Sequence, residues 1–170
     1  MMRLGVWLPL YTKDGVIAGQ TLIDWTDAIW AESHAWRLSR NGHGHFYVWR
    51  GKVIDGKFRH IYLHRAILGL DPREQATTDV DHINHDTLDN RRANLRSIPH
   101  NGNQQNQRPQ LGRTSRYRGV YFERWTGRWR ASAQKDRVTY RLGRFDSEDK
   151  AAAVVSEWRR INMPYSVEVP

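Results

Sequence analysis

Four residues near the middle of the chain have types and spacings that could open a phosphodiester: the neighbours Asp81 and His82, then Asn94 and Asn103. That reaction needs an activated water, a cation on the scissile phosphate and help for the departing 3′ oxygen. A hard cation such as magnesium takes oxygen ligands and keeps several of its waters, so one carboxylate and one amide oxygen from the protein suffice. Asp81 and Asn103 could supply them. An imidazole titrates near neutral pH, which suits His82 to the work of a general base. Consecutive residues of an ideal strand point to opposite faces. For Asp81 and His82 to serve one site, the strand that carries them must end or bulge there.

The run from Asp79 to Asn103 holds more than these four. It contains D-N-R-x-x-N-L from Asp89 to Leu95, and I-Y-L-H-R stands upstream at Ile61–Arg65. With twelve residues from His82 to Asn94 and nine more to Asn103, the pattern resembles the HNH nuclease family, in the subset found in phage and homing endonucleases. The resemblance implies a ββα-metal core: a strand carrying Asp81-His82, a loop, a second strand near Leu95–Ile98, then a helix carrying Asn103. It implies His82, Asn94 and His64 as catalytic residues. Asn94 would tie the loop and help to aim His82, and His64 would sit on a helix beside the site, in a catalytic or phosphate-contacting role. Asp81 and Asn103 become the metal ligands. Asn stands at 103 where many members have His, and a neutral oxygen ligand favours magnesium, with manganese as a substitute, over zinc or nickel. His85 reads as an exposed loop residue, and His100 as a residue near the start of the last helix.

The elements that must position these groups come from stretches of different texture. Residues 1–63 are rich in aromatics and turn signals and read as a strand-rich segment. Strands are expected at Thr21–Asp24, Trp36–Ser39, His45–Arg50 and Phe58–Leu63, with turns at Asn41-Gly42 and Asp55-Gly56. Asp27–Glu32 reads as a helical turn capped by Thr26. Residues 64–107 form the nuclease-like core and 108–115 a polar linker. Residues 116–163 begin again with alternation. In Arg128–Gln134 the odd positions are apolar and the even ones basic or polar, and Thr139–Leu142 alternates again between polar and apolar residues. Ser147 opens a helix with acids in its first turn and Arg159-Arg160 near its end. Residues 164–170 form a tail. The fold class is therefore α+β. A strand-rich start leads into a ββα core, followed by a three-stranded antiparallel sheet packed on one helix, with its other face left free.

The formal net charge is +9, unevenly spread. Between residues 112 and 144 there are ten Lys and Arg against two Asp and Glu, while residues 64–111 are neutral. A basic patch this dense argues for a polyanion partner. Residues 116–163 resemble the APETALA2-type DNA-binding domain, through Tyr117–Val120, Gly127–Ala131, Tyr140–Phe145 and Glu148–Ala153. The resemblance implies that the free sheet face lies in a major groove of double-stranded DNA, where Arg can read guanine. The candidates are Arg118, Trp125, Arg128, Arg130, Gln134, Thr139 and Arg141, with Arg116 and Arg113 on phosphates. Tyr121 and Glu123 stand where plant members often have Arg, so their target sequence does not carry over.

The chain has no cysteine, which excludes disulfides, thiolate zinc sites and a cysteine nucleophile. No structural zinc is expected, and core packing must hold the fold. Eight Trp are the obvious source of that packing. No apolar stretch approaches the ~20 residues of a membrane span. Met1–Leu10 lacks the features of a secretory signal. The expected location is cytoplasmic, and by resemblance inside a phage-infected bacterial cell. The expected activity is metal-dependent DNA hydrolysis leaving 5′-phosphate and 3′-hydroxyl ends, by a monomer that nicks or a homodimer that cuts both strands. The rival reading is a sequence-specific DNA-binding regulator on an inactive nuclease scaffold. With Asn103 as a ligand, magnesium and manganese should support plasmid cleavage and nickel far less; equal rates with nickel would count against that ligand.

Overall fold

Leu8 and Leu10 point to one side of an extended run, and this alternation makes Gly5–Tyr11 a strand, β1. It belongs to a computed structural model that describes residues 5–42, 44–73, 78–99 and 114–166. β1 pairs antiparallel with β2, Ile17–Asp24, setting Leu8 opposite Thr21 and Val6 opposite Ile23. Pro9 is tolerated because β1 has no second neighbour in this two-stranded sheet. Helix α1, Trp25–Glu32, follows directly. Strands β3, Arg37–Arg40, β4, Phe46–Ile54, and β5, Lys57–Tyr62, form an antiparallel meander. Asp55-Gly56 makes the tight turn between the last two, with both residues at positive φ. A short helix α2, Leu63–Ile67, then leads to β6, Thr78–His82, which pairs antiparallel with β7, Leu95–Pro99.

These elements share one core. Leu8, Leu10, Ile23, Trp36, Val48, Ile61, Leu63 and Leu95 pack together, so the strand-rich start and the segment after residue 63 bury their apolar faces against each other. The chain divides into two units, Met1–Pro99 and His100–Pro170. In the second, β8, Val120–Glu123, β9, Arg128–Lys135, and β10, Val138–Phe145, form a sheet in the order β10-β9-β8. Helix α3, Glu148–Asn162, covers one face of it through Ala151 and Val155, which pack on Val120 and Ala131. Ser147 caps α3 by accepting from the Lys150 amide. Gly119 enters β8 at φ +84°, where an added Cβ would lie 2.2 Å from the Ser132 carbonyl. Only glycine fits there. The described residues are α+β and strand-rich, with three α-helices and several small antiparallel sheets. Among the described residues no helix is long and apolar enough to cross a membrane.

Several sequence expectations need correction. β1 was not expected at all. Helix α1 starts at Trp25, so Thr26 is not its cap. Asp24 holds the cap position but makes no side-chain capping bond. Its carboxylate instead accepts from the Arg92 amide. Leu63 opens α2 rather than closing β5. The parity of β10 breaks at a bulge between Arg141 and Gly143. The tryptophans are not a shared core either. Trp36 is fully buried, but Trp7, Trp25 and Trp125 are more than half exposed. The Trp36 indole donates to the Ala31 carbonyl at 2.9 Å, which lets its polar edge be buried with the ring. Trp36→Ala should therefore cost about 3–5 kcal/mol in urea denaturation, as deletion of a buried aromatic ring does; a loss below ~1 kcal/mol would deny Trp36 its central place.

Candidate active site

β6 ends at His82, and its register with β7 sets Asp81 opposite Arg96 and His82 opposite Leu95. Asp81 and His82 are both buried. The Asp81 carboxylate accepts from Arg96 Nε and Nη2 at 2.9 and 2.6 Å, across the pair that register sets opposite each other. The His82 ring meets His64 edge-on, with centroids 5.3 Å apart. Its Nε2 lies 3.2 Å from Asn90 Oδ1. His64 comes from α2 and also stacks on Tyr62 and meets Tyr47. From there the rings continue outward along β5 through His60 to Phe58, flanked by Trp49.

Between His82 and β7 the chain makes a compact loop. Asn94, at the end of a single 3₁₀ turn Arg92–Asn94, binds the loop's two ends. Its Oδ1 accepts from the Asn84 amide, its Nδ2 donates to the Asp89 carbonyl, and its own carbonyl accepts from Ile83. His85 turns at φ +62° and donates its amide to the His82 carbonyl. Asp89 is paired with Arg91, and Asp27 with Arg92. The loop is also joined to β2. Leu22 donates to the Leu88 carbonyl, Asn90 donates to the Leu22 carbonyl, and Leu22 bridges Asp89 in parallel.

The electrostatics follow from this burial. Burial pushes the His64 imidazole down to about 3, with neighbouring His82 and Arg65 acting in the same direction. Burial also lowers His82, against opposing pulls from the Asn90 hydrogen bond and from Asp81, Asp86 and Asp89. Both rings are therefore neutral at pH 7. Burial raises the Tyr47 hydroxyl, helped by Tyr62, Asp79 and Asp81. Burial works to raise Asp89, but hydrogen bonds from Arg91 and Asn84 outweigh it and leave the carboxyl below its ordinary range.

The structure sets the His82 ring against His64, with Asp81 next to His82 in the chain and paired with Arg96, while Asn103 and His100 lie outside the described residues, as do Arg113 and most of the linker. A buried carboxylate at a strand end fits a hard cation. It is now paired with Arg96, so a bound cation would have to share it. Among the described residues no group of three His, Asp or Glu could hold a metal by itself. The sequence reading missed Asn90. It gives this residue no role beyond its place in the motif, whereas its side chain is buried against His82. The D-N-R run was the available signal.

On the second unit, Arg130 and Thr139 lie on the sheet face away from α3, with Gln134 opposite Thr139 and Arg141 opposite Ser132. Arg128 sits opposite Glu123 in the register of β8 and β9. Arg130 lies over the Tyr121 ring and reaches Glu123. Arg144, unmarked by the sequence reading, reaches Glu123 on the same face. Hydrogen bonding to Arg144 holds the Glu123 carboxyl below its ordinary range. Trp125 is 77% exposed at the turn between β8 and β9. Arg116 lies over Tyr117 and donates to its hydroxyl, and the Arg118 carbonyl accepts from Arg159.

Residues 62–105 match the HNH endonuclease family. The match suggests a nuclease, and it takes in His64, Asp81, His82, Asn90, Asn94 and Asn103. No curated protein and no solved structure matched the chain.

The neutral His64 makes a pH prediction. Between pH 3 and 6.5 the unfolded chain takes up a proton that the folded chain refuses. Stability from this group is complete above 6.5 and falls by about 1.4 kcal/mol per pH unit below it. Urea denaturation at pH 6.5 and 5 should show wild type losing about 2 kcal/mol more than His64→Phe; equal losses would mean His64 is protonated in the fold.

Proposed function

We propose that the chain is a metal-dependent DNA endonuclease. The reading rests on one observation: Asp81 and a neutral His82 are buried side by side at the end of β6, within the stretch that matches HNH endonucleases. His82 takes a proton from a water molecule. The water oxygen bonds to phosphorus as the bond to the 3′ oxygen breaks, and that oxygen takes a proton from solvent. The products are a 5′-phosphate and a 3′-hydroxyl. Asp81 and Asn103 hold a hard cation, magnesium or manganese, which when bound supplies positive charge at the phosphate oxygens. Asn94 keeps the loop closed behind the base. His64, neutral and buried, walls the His82 ring on one side.

The second unit is proposed to hold double-stranded DNA through an APETALA2-type sheet. Its outer face carries Arg128, Arg130, Gln134, Thr139 and Arg141, with Arg116, Arg118 and Trp125 at its margins. What supports this is the three-stranded sheet with one face covered by α3 and the other basic. One site cuts one strand per visit, so a monomer nicks, and a double-strand break needs a homodimer or two visits.

Supercoiled plasmid incubated with magnesium separates this reading from its rival, a DNA-binding regulator on an inactive scaffold. Wild type should convert the plasmid to nicked or linear forms, and His82→Ala should be slower by about 10²–10⁴-fold, the usual worth of a general base. Gel-shift binding should persist in the variant. A wild-type chain that binds DNA yet cuts no sequence offered, with any divalent metal, would favour the regulator.

A further inference from the structure

Behind His82 lies a buried chain of hydrogen bonds whose direction can be read without seeing a proton. Thr21 Oγ1 is 2.6 Å from the Leu88 carbonyl. A carbonyl only accepts, so the Thr21 hydroxyl must donate to it. Thr21 Oγ1 is also 2.8 Å from the Asn90 side-chain amide, and with its proton committed it can only accept there. Asn90 must therefore present its NH2 group to Thr21. The same NH2 lies 3.3 Å from the Thr87 carbonyl, another pure acceptor, which fixes the amide in the same sense. Asn90 Oδ1 is then the atom that faces His82 Nε2. An amide oxygen only accepts, so Nε2 must carry the proton. Each step follows from the one before, and both outer ends of the chain are backbone carbonyls that cannot reverse it.

We infer that Thr21 is a positioning residue: acting through Asn90, it fixes the tautomer of His82, so that the ring keeps its proton on Nε2 and presents the Nδ1 lone pair as the base. The inference rests on the proposed nuclease reading for its purpose but not for its geometry. Thr21 and Asn90 are 0% and 1% exposed, so water does not compete for these bonds. In a neutral imidazole the two nitrogens have opposite roles, and the partner of one decides the role of the other. A ring with its proton on Nδ1 could not accept a proton there from water, whatever its position. Thr21 belongs to β2, outside the stretch that matches the nuclease family. The strand-rich start of the chain thus does more than complete the core.

The test reads the tautomer directly, in the full chain and without DNA. Long-range proton–nitrogen spectra of chain carrying ¹⁵N-labelled histidine distinguish a protonated ring nitrogen from an unprotonated one. At pH 8 wild type should show His82 with its proton on Nε2 alone. Thr21→Val keeps the shape but loses the hydroxyl, which leaves only the longer 3.3 Å contact to the Thr87 carbonyl to hold the Asn90 amide, and a mixture of tautomers should appear. Plasmid nicking should slow by about 10- to 100-fold, the scale on which partners that orient a working histidine act. Thr21→Ser, which restores the hydroxyl, should recover both the single tautomer and the rate. A folded Thr21→Val chain with an unchanged single tautomer overturns the inference, as does a wild-type ring protonated on Nδ1. Where Thr21→Val does not fold, wild type carries the test: cross-peaks should link the Thr21 hydroxyl proton, the Asn90 amide protons and the His82 Nε2 proton, and their absence overturns the relay. A chain with a locked ring that cuts no DNA overturns the nuclease reading instead and leaves the relay standing.

Discussion

The backbone pairing of Leu22 with the loop after His82 is the constraint on which the first unit's site depends. Two peptide hydrogen bonds, at 2.8 and 2.7 Å, tie β2 to Leu88 and Asn90. This loop is mostly polar, and Leu88 is the side chain it is seen to pack against the core. Held by β2 on one side and by Asn94 on the other, it becomes a rigid wall behind the histidine. The clamp is completed at the start of α1, where Asp24 takes the Arg92 amide and Asp27 the Arg92 guanidinium. The last of these is half-exposed and contributes little energy alone. Its value is geometric, because it aligns the end of the loop with the first helix.

A second theme is that the arginines of the D-N-R-R-A-N-L-R run answer the acids around them. Arg91 pairs with Asp89, Arg92 with Asp27, and Arg96 with Asp81. The site has positive and negative groups in contact, with neutral imidazoles between them. The second unit repeats the device once, on its outer face. There Glu123, at the end of β8, draws in both Arg130 and Arg144.

Periodicity made much of the fold legible. The alternation of Arg128–Gln134 and the caps of the last helix led to the three-stranded sheet and α3, because both signals are local. The end of a strand at His82 was also readable, since two adjacent residues can share one site only where a strand ends or bulges. What stayed hidden depends on distant partners. Asn90 looks like a turn residue because nothing nearby announces Thr21. Asp24 looks like half of a strand and Thr26 like a cap because the claim of Arg92 on Asp24 is invisible along the chain. β1 escaped notice because its apolar run and Pro9 were weighed only against a leader peptide. Proline is a poor guide on an edge strand, where the missing amide costs nothing.

The bonds that join Thr21 to Leu88 and to Asn90 span 67 and 69 residues of chain. Contacts of that separation close large loops and form late in folding, after local hairpins and helices. During synthesis β2 is made long before the residues it must orient. A chain interrupted before Asn90, or one that has opened locally between β2 and the loop, can carry Asp81 and His82 yet lacks an aimed ring. Completion of the first unit and placement of the His82 ring against Asn90 are thus the same event.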